Sequence, residues 1–427
     1  MAAKPLVDEL FVPPLAAPEI ALAGGAELVH EPERDVTVSR GDTVRHFSIY
    51  APMAAFGLVE ELSHLSRRAI EPNVFFDPQF LVPAMPRLDE RKVRLMVVRD
   101  EAGSRSRLRL LMPFSLERAA AVGGPATIRA WTHPFGPLGT LPVDGDDPAD
   151  TLASFLETIA RPEFALPDVL VLPDVRIDGA MATTLLAVAK ERGLPATCVN
   201  RITRAALLKD AGGVPHTLSA LSGRRRRELA RQRRLLEATG PVSFDVARTK
   251  ADVQLALEDF FVLEASGWKG RQRSALITDR YRAAFAREAV NALAADGRVR
   301  VFTLKVGART VASLVAFVDR GEAYAWKSAY DEAFAAASPG QQVVAEATLA
   351  LLADPAVKRA DSCAMPDHFV MNRFWSDRIE IATIVLGLNP NSARRVEAAA
   401  KGLSSMRRSR NFARLMRERL RAMLSFS

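Results

Sequence analysis

Trp326-Lys327-Ser328-Ala329-Tyr330-Asp331 is followed, after a loop of small residues, by Ser338-Pro339-Gly340 and a run of helical spacing from Gln341. A strand thus ends in a polar cluster, and the loop after it opens a helix. Serine is a common cap, proline suits the first helical position, and glycine lets a ligand approach the backbone. The free N–H groups and positive dipole end of such a helix favour a phosphate or pyrophosphate. Strict alternation along the strand sends Tyr324, Trp326, Ser328 and Tyr330 one way and Ala325, Lys327, Ala329 and Asp331 the other. Alanines beside Lys327 and Asp331 leave volume next to two ionisable groups. That pattern fits a cleft, and equally a simple Lys327–Asp331 ion pair.

Around this stretch the same order of elements occurs twice. Strands over 93–99, 108–114 and 126–131, a helix over 149–159 and a strand over 169–172 are matched by strands over 299–305, 311–318 and 323–329, a helix over 341–352 and a strand over 359–363. The pattern predicts tandem α/β units: an irregular lead-in at 1–45, a first unit at 46–215, a basic connecting helix at 216–240, a second unit at 241–390 and a basic C-terminal helix at 391–427. Before the first unit's helix stands Asp144-Gly145-Asp146-Asp147-Pro148. Those carboxylates satisfy the helix dipole themselves and repel a pyrophosphate, which assigns an anionic cofactor to the second unit.

Of 427 residues, 48% are hydrophobic and 25% charged, the balance of a globular chain with sizeable cores. Two cysteines without metal-ligand spacing argue against a disulfide framework or zinc site and fit a reducing, cytoplasmic compartment. The N-terminal stretch has no basic, apolar leader pattern, and no apolar run is long enough to span a bilayer. The net charge of +8 is concentrated in arginines at 224–234 and 394–421. Arg224, Arg227, Arg231 and Arg234 fall on one helical face, with Leu218, Leu221, Leu229 and Leu236 as a thin apolar stripe and Glu228 within reach of Arg224 and Arg231. Such a face is either solvated or meets a nucleic acid, an anionic lipid or a phosphorylated substrate.

A third element, Leu263-Glu264-Ala265-Ser266-Gly267-Trp268-Lys269-Gly270-Arg271, ends a helix in an aromatic and cationic turn. Trp268 and Lys269 are candidates to bind an acceptor, and Glu264 is a candidate base. His133 and His368 are isolated and read as structural.

Together with Ala323–Glu332, Ser338-Pro339-Gly340, Leu221–Leu229 and Asp367–Trp375, this element resembles the CelD-type proteins, GNAT-superfamily acetyltransferases linked to cellulose and exopolysaccharide synthesis. The likeness is best over about 215–385. It implies tandem GNAT domains with mixed sheets flanked by helices, like those of the Fem-type aminoacyltransferases. It also implies acetyl-CoA or another acyl-CoA as donor and an amine as acceptor, such as an amino sugar or a cell-envelope precursor. The donor's pyrophosphate would lie on Ser338, Pro339, Gly340 and Gln341, where only Gly340 remains of the family's glycines. The roles implied are Asp331 or Glu264 as base or orienting carboxylate, Tyr330 as acid to the thiolate, Lys327 for orientation, and Trp268, Lys269 and Trp326 at the acceptor. Two alternatives stay open: a Fem-like transferase using aminoacyl-tRNA, and a non-catalytic scaffold of a polysaccharide synthesis complex or membrane surface.

Overall fold

The computed structural model describes residues 31–88, 93–120, 123–133, 135–209 and 222–424, with side chains to 409. In the first half the strands are β1 (Arg34–Arg40), β2 (Thr43–Tyr50), β3 (Arg94–Ala102), β4 (Arg105–Arg118), β5 (Ala126–Ala130), β6 (Val169–Arg176) and β7 (Ala196–Leu208). The second half adds β8 (Val242–Ala247), β9 (Val299–Val306), β10 (Arg309–Asp319), β11 (Gly321–Tyr330), β12 (Val357–Asp361) and β13 (Asp377–Gly387). They join in one sheet, in the order β1-β2-β3-β4-β5-β6-β13-β7-β12-β11-β10-β9-β8. The fold is mixed α/β, a large mixed sheet flanked by helices.

Two halves of matching design account for that order. Antiparallel β2-β3-β4-β5 with β6 parallel to β5 corresponds to β8-β9-β10-β11 with β12 parallel to β11. The last strand is exchanged: β7 pairs with β12 of the other half, and β13 with β6. Hairpins β3–β4 and β9–β10 each turn through two residues, led by Gly103 at φ 59 and Gly307 at φ 57. Only glycine takes that left-handed position without steric cost.

The lead-in expected at 1–45 is strand from Arg34 onward. Val36 and Val38 alternate with polar residues, and β1 pairs with β2 along its whole length. A short alternating stretch inside a proline- and acid-rich segment was hidden by the composition around it. The basic helix starts at Gly223, with Ser222 capping Arg225 N–H, and runs to Glu237. Leu218 and Leu221 of its expected stripe lie outside the described residues, whereas Leu236 is fully buried. Glu228 pairs with Arg373 rather than with the arginines of its own helix, because a neighbouring helix comes within reach.

An aromatic cluster joins the halves. Phe80 packs edge-on to Phe285 at 5.1 Å, Phe75 to Tyr324 at 5.3 Å, and Trp326 lies 5.1 Å from Phe317. Each such pair contributes about 0.5–1.5 kcal/mol beyond burial. Beside it Arg176 of β6, 1% exposed, bridges Glu71 (3.1 Å) and Glu322 of β11, and Glu322 also takes Arg359 at 2.6 Å. The halves are therefore held by a buried ion network as well as by apolar area.

Candidate functional site

Parallel pairing between β11 and β12 covers only Gly321–Tyr324 against Val357–Asp361. Beyond Tyr324, β11 runs on without that neighbour, and the strands part. The crevice beyond the carboxyl ends of parallel strands is where open α/β sheets receive ligands. A cleft of about 310 Å³ opens here. Its walls are Ser328–Tyr330, the end of the helix Lys250–Ser266 with the turn after it, the start of the helix Pro339–Ala353, and His368 with Val370.

A β-bulge sets which side chains reach it. Val315 pairs with Lys327 but Ala316 pairs with Ala325, so Trp326 is an extra residue. One inserted residue reverses the alternation beyond it. The expectation that Trp326 shares a face with Ser328 and Tyr330, and Lys327 one with Ala325, is thereby overturned. Trp326 turns into the aromatic cluster, its Nε1–H donating to Phe135 O at 2.7 Å, and does not line the cleft. Lys327 turns away from Asp331 toward Glu264, 3.9 Å from its Oε1 and 4.6 Å from the Phe135 ring. Asp331 caps Ala333 N–H and pairs with Arg309, also outside the cleft lining. The two ionisable groups read from one strand face serve two different partners.

At the helix start, Ser338 stands in the left-handed region (φ 49, ψ 54) with Pro339 after it. Its hydroxyl accepts from Gln232 Nε2 at 3.1 Å and does not cap the helix, contrary to expectation. The first turn has no acidic residue, so its dipole is uncompensated there. A Cβ on Gly340 would meet Tyr330 Cδ1 at 3.3 Å, so the ring of Tyr330 lies directly over this backbone. Gln341 also lines the cleft and accepts from Arg373 at 2.6 Å. Pro339 is buried behind it.

The first half repeats the backbone and changes the charge. Asp147, also left-handed (φ 48, ψ 59) and also followed by proline, caps Asp150 N–H with its carboxylate. Asp144 is fully buried and takes Arg68 at 3.0 Å and Arg107 at 2.6 Å. Here the helix mouth is already occupied by the chain's own anions.

Glu264 organises the remaining wall. Its carboxylate is inaccessible and accepts Lys269 Nζ at 3.1 Å and Leu276 N–H at 2.8 Å. Lys269 is tied on to Ser328 O at 2.8 Å, which joins this helix to the end of β11. Trp268, 45% exposed, is fixed through its N–H on Glu332. Burial pushes the Lys327 ammonium down to about 8, only partly offset by Glu264.

That depression has a definite sign for stability. Below pH 8 Lys327 is charged in both folded and unfolded chains and its burial opposes folding. Between pH 8 and the usual lysine value near 10.5 the folded state sheds its proton first, and stability rises with pH. Lys327→Met is expected to raise Tm at pH 7, with the gain over wild type shrinking as pH rises from 8 to 10. Equal gains across that range, followed by thermal melts, would show that Lys327 is not the strained charge.

Of the residues singled out in the sequence, Glu264, Trp268, Lys269, Tyr330, Ser338, Gly340 and Gln341 come together in one cleft; Lys327, Asp331, Trp326 and Pro339 do not line it. His368 does, although it read as structural. Its Nδ1 accepts Met371 N–H at 3.2 Å, so the neutral ring carries its proton on Nε2, and burial lowers its pKa. At neutral pH it is a hydrogen-bond donor. An isolated histidine gave no spacing from which to place it; its position one residue ahead of a helix after β12 was the available signal.

Parting strands, an uncapped helix start and a strand bulge thus meet at one cleft. Residues 223–369 match the acetyltransferase (GNAT) domain. The match spans the arginine helix, the cleft and the start of the helix Phe369–Phe374. No curated protein matches the sequence. Among solved structures, FemX aligns with 80% of this chain and 98% of its own at a TM-score of 0.51 and 10% identity. The C-terminal domain of a "Putative Lysylphosphatidylglycerol Synthetase" from Agrobacterium fabrum aligns with 81% of this chain and 95% of its own, at 0.50 and 13%. At such identities the likeness is one of fold, extending the GNAT architecture over both halves. No helix among the described residues is long and apolar enough to cross a membrane.

Proposed function

We propose that the GNAT domain transfers an acetyl or other acyl group from acyl-CoA to an amine. The observation that carries this reading is the uncapped, acid-free helix start at Ser338–Gln341, with Tyr330 packed over Gly340 at the mouth of a 310 Å³ cleft. In this reading the Gly340 N–H and the positive end of the helix hold the donor's pyrophosphate, since Ser338 N–H and Gln341 N–H are bonded to Ala335 O and Ser338 O. The first half, with Asp147 and Asp144 in the equivalent place, takes no donor.

A neutral amine attacks the thioester carbonyl, the C–N bond forms and the C–S bond breaks. Tyr330, partly exposed beside Gly340, gives its phenolic proton to the departing thiolate, and the proton lost from nitrogen returns through water to Tyr330. Among the described residues lining the cleft Glu264 is the one carboxylate. Lys269 and Lys327 already hold its inaccessible carboxylate, so its role is to orient the acceptor amine through Lys269, beside Trp268. His368 Nε2–H supplies a donor for the developing oxyanion. The resemblance to CelD-type proteins supports an amino sugar or a precursor of cell-envelope or exopolysaccharide as acceptor.

Gly340→Val forces a branched side chain against Tyr330 and the donor's path. Acetyl-CoA is expected to raise the Tm of the wild-type chain by several degrees and to leave that of the variant unchanged. Absence of any shift with acetyl-, malonyl- or longer acyl-CoA in the wild type would sink the reading. The exposed face of Arg224, Arg227, Arg231 and Arg234, on a helix that reaches Ser338 through Gln232, favours a second reading in which the donor is an aminoacyl-tRNA. RNA that copurifies and is released by salt, with no response to acyl-CoA, would select it.

A further inference from the structure

A second cavity, sharing no lining residue with this cleft, lies under the C-terminal helix Ala393–Leu424. It measures about 320 Å³, and its lining includes Arg118, Arg129, Asp174, Asn200, Thr383 and Arg407. Two bulges build it. On one side of β13, Val175 pairs with Ala382 and Leu172 with Ile384, so Pro173 and Asp174 stand against Thr383 alone. On the other side, Ile202 pairs with Ile381 and Val199 with Thr383, so Asn200 and Arg201 stand against Ala382.

Asp174 (φ 55) and Asn200 (φ 56) both occupy the left-handed region at these bulges. Such backbone outside a turn is uncommon, and bulges re-aim side chains at sites. Here both turn toward one cavity. Arg407 fastens the helix over it by donating to Asn200 O at 2.6 Å, and Glu117 pairs with Arg129 at 3.6 Å on the rim. The Asp174 carboxylate has no hydrogen bond among the described residues, although it is strongly desolvated. Burial holds its pKa above the ordinary carboxylate value despite the charges of Arg129, Arg204 and Arg407. A half-buried carboxylate that takes no protein donor among the described residues, facing guanidinium groups across an open volume, has its oxygens available to a ligand's donors.

We propose that this cavity binds a small zwitterion of the α-amino acid type, with its ammonium on Asp174 and its carboxylate on Arg118, Arg129 and Arg407. The volume is at the small end of ligand pockets, enough for one such molecule. This site is independent of acyl transfer and of the cleft at Gly340.

The full-length protein would be melted with each of the twenty free L-amino acids at millimolar concentration, and separately with sodium acetate and sodium phosphate. At least one amino acid should raise Tm by about 2 °C or more, as expected for ligand well above its Kd. Titration calorimetry should then show at least tenfold weaker binding by Asp174→Asn and by Arg129→Gln, with the acetyl-CoA response unchanged. Should Asp174→Asn not fold, Arg118→Gln, at the exposed rim, should weaken binding in the same assay. No response to any amino acid overturns the proposal. So does a response insensitive to all three substitutions, or one that acetate or phosphate reproduces in full, which would mark a simple anion site.

Discussion

Glu264→Gln is expected to lose roughly 3 kcal/mol or more of stability, and to lower kcat/KM for acyl transfer on the order of 100-fold. The volume is nearly unchanged, so the loss comes from charge. Lys269 Nζ at 3.1 Å and Lys327 Nζ at 3.9 Å share this one inaccessible carboxylate, and an amide leaves both ammonium groups without an anion. Lys269 then has little reason to stay on Ser328 O, and the link between the helix Lys250–Ser266 and the end of β11 loosens. Adding Lys327→Met to Glu264→Gln should restore part of the stability, because one of the stranded charges is gone, but not the activity. A Glu264→Gln protein that melts like the wild type would mean that the two lysines are neutralised elsewhere.

The second large effect concerns the joint between the halves. Arg176→Met should destabilise by about 3–5 kcal/mol, since Glu71 and Glu322 are left buried with Arg359 as their remaining cation. Burial already holds the Glu71 carboxyl above its ordinary value. A carboxyl with a raised folded-state pKa is protonated more readily in the folded chain, so its cost is relieved as pH falls through that value. Losing Arg176 raises it further. The variant should therefore recover stability relative to wild type between neutral and mildly acidic pH, and Arg176→Met with Glu322→Gln should be more stable than Arg176→Met alone. Melting curves at several pH values test both statements. A deficit that stays constant with pH would locate the loss in packing.

The two halves were legible as repeated local order because each strand and helix carries its own periodicity. Gly103 and Gly307 mark equivalent hairpins, and Asp147-Pro148 and Ser338-Pro339 open equivalent helices with the same backbone angles. The contrast of charge at those two helix starts was also visible, since acidic residues near a helix N-terminus act within a turn of it. Most of the cleft lining came from the same local features. What misled was strict alternation through Trp326. A bulge is decided by the register of the partner strand β10, which no property of residues 323–331 records. Trp326 and Lys327 were misplaced for that one reason; Asp331, past the end of β11, was turned aside by capping Ala333 N–H and pairing with Arg309.

His368 and Asp174 were invisible for a related one. Each is an isolated polar residue whose importance depends on which distant elements surround it: the helix Pro339–Ala353 and β11 for the first, β13 and the C-terminal helix for the second. The exchange of β7 and β13 between halves belongs to the same class, because strand pairing across more than 150 residues leaves no mark on the pattern of either strand.

Periodicity, turn chemistry and helix dipoles act over a few residues, and they alone mark the duplicated α/β design and the helix start at Ser338-Pro339-Gly340 that follows Trp326–Asp331. That Tyr330 lies over Gly340, that Lys327 answers to Glu264 instead of Asp331, and that β11 and β12 part to leave a cleft all emerge from the assembled fold. Those outcomes depend on register, a bulge and packing between elements far apart in the chain, where pairing energies and not local propensities set the geometry.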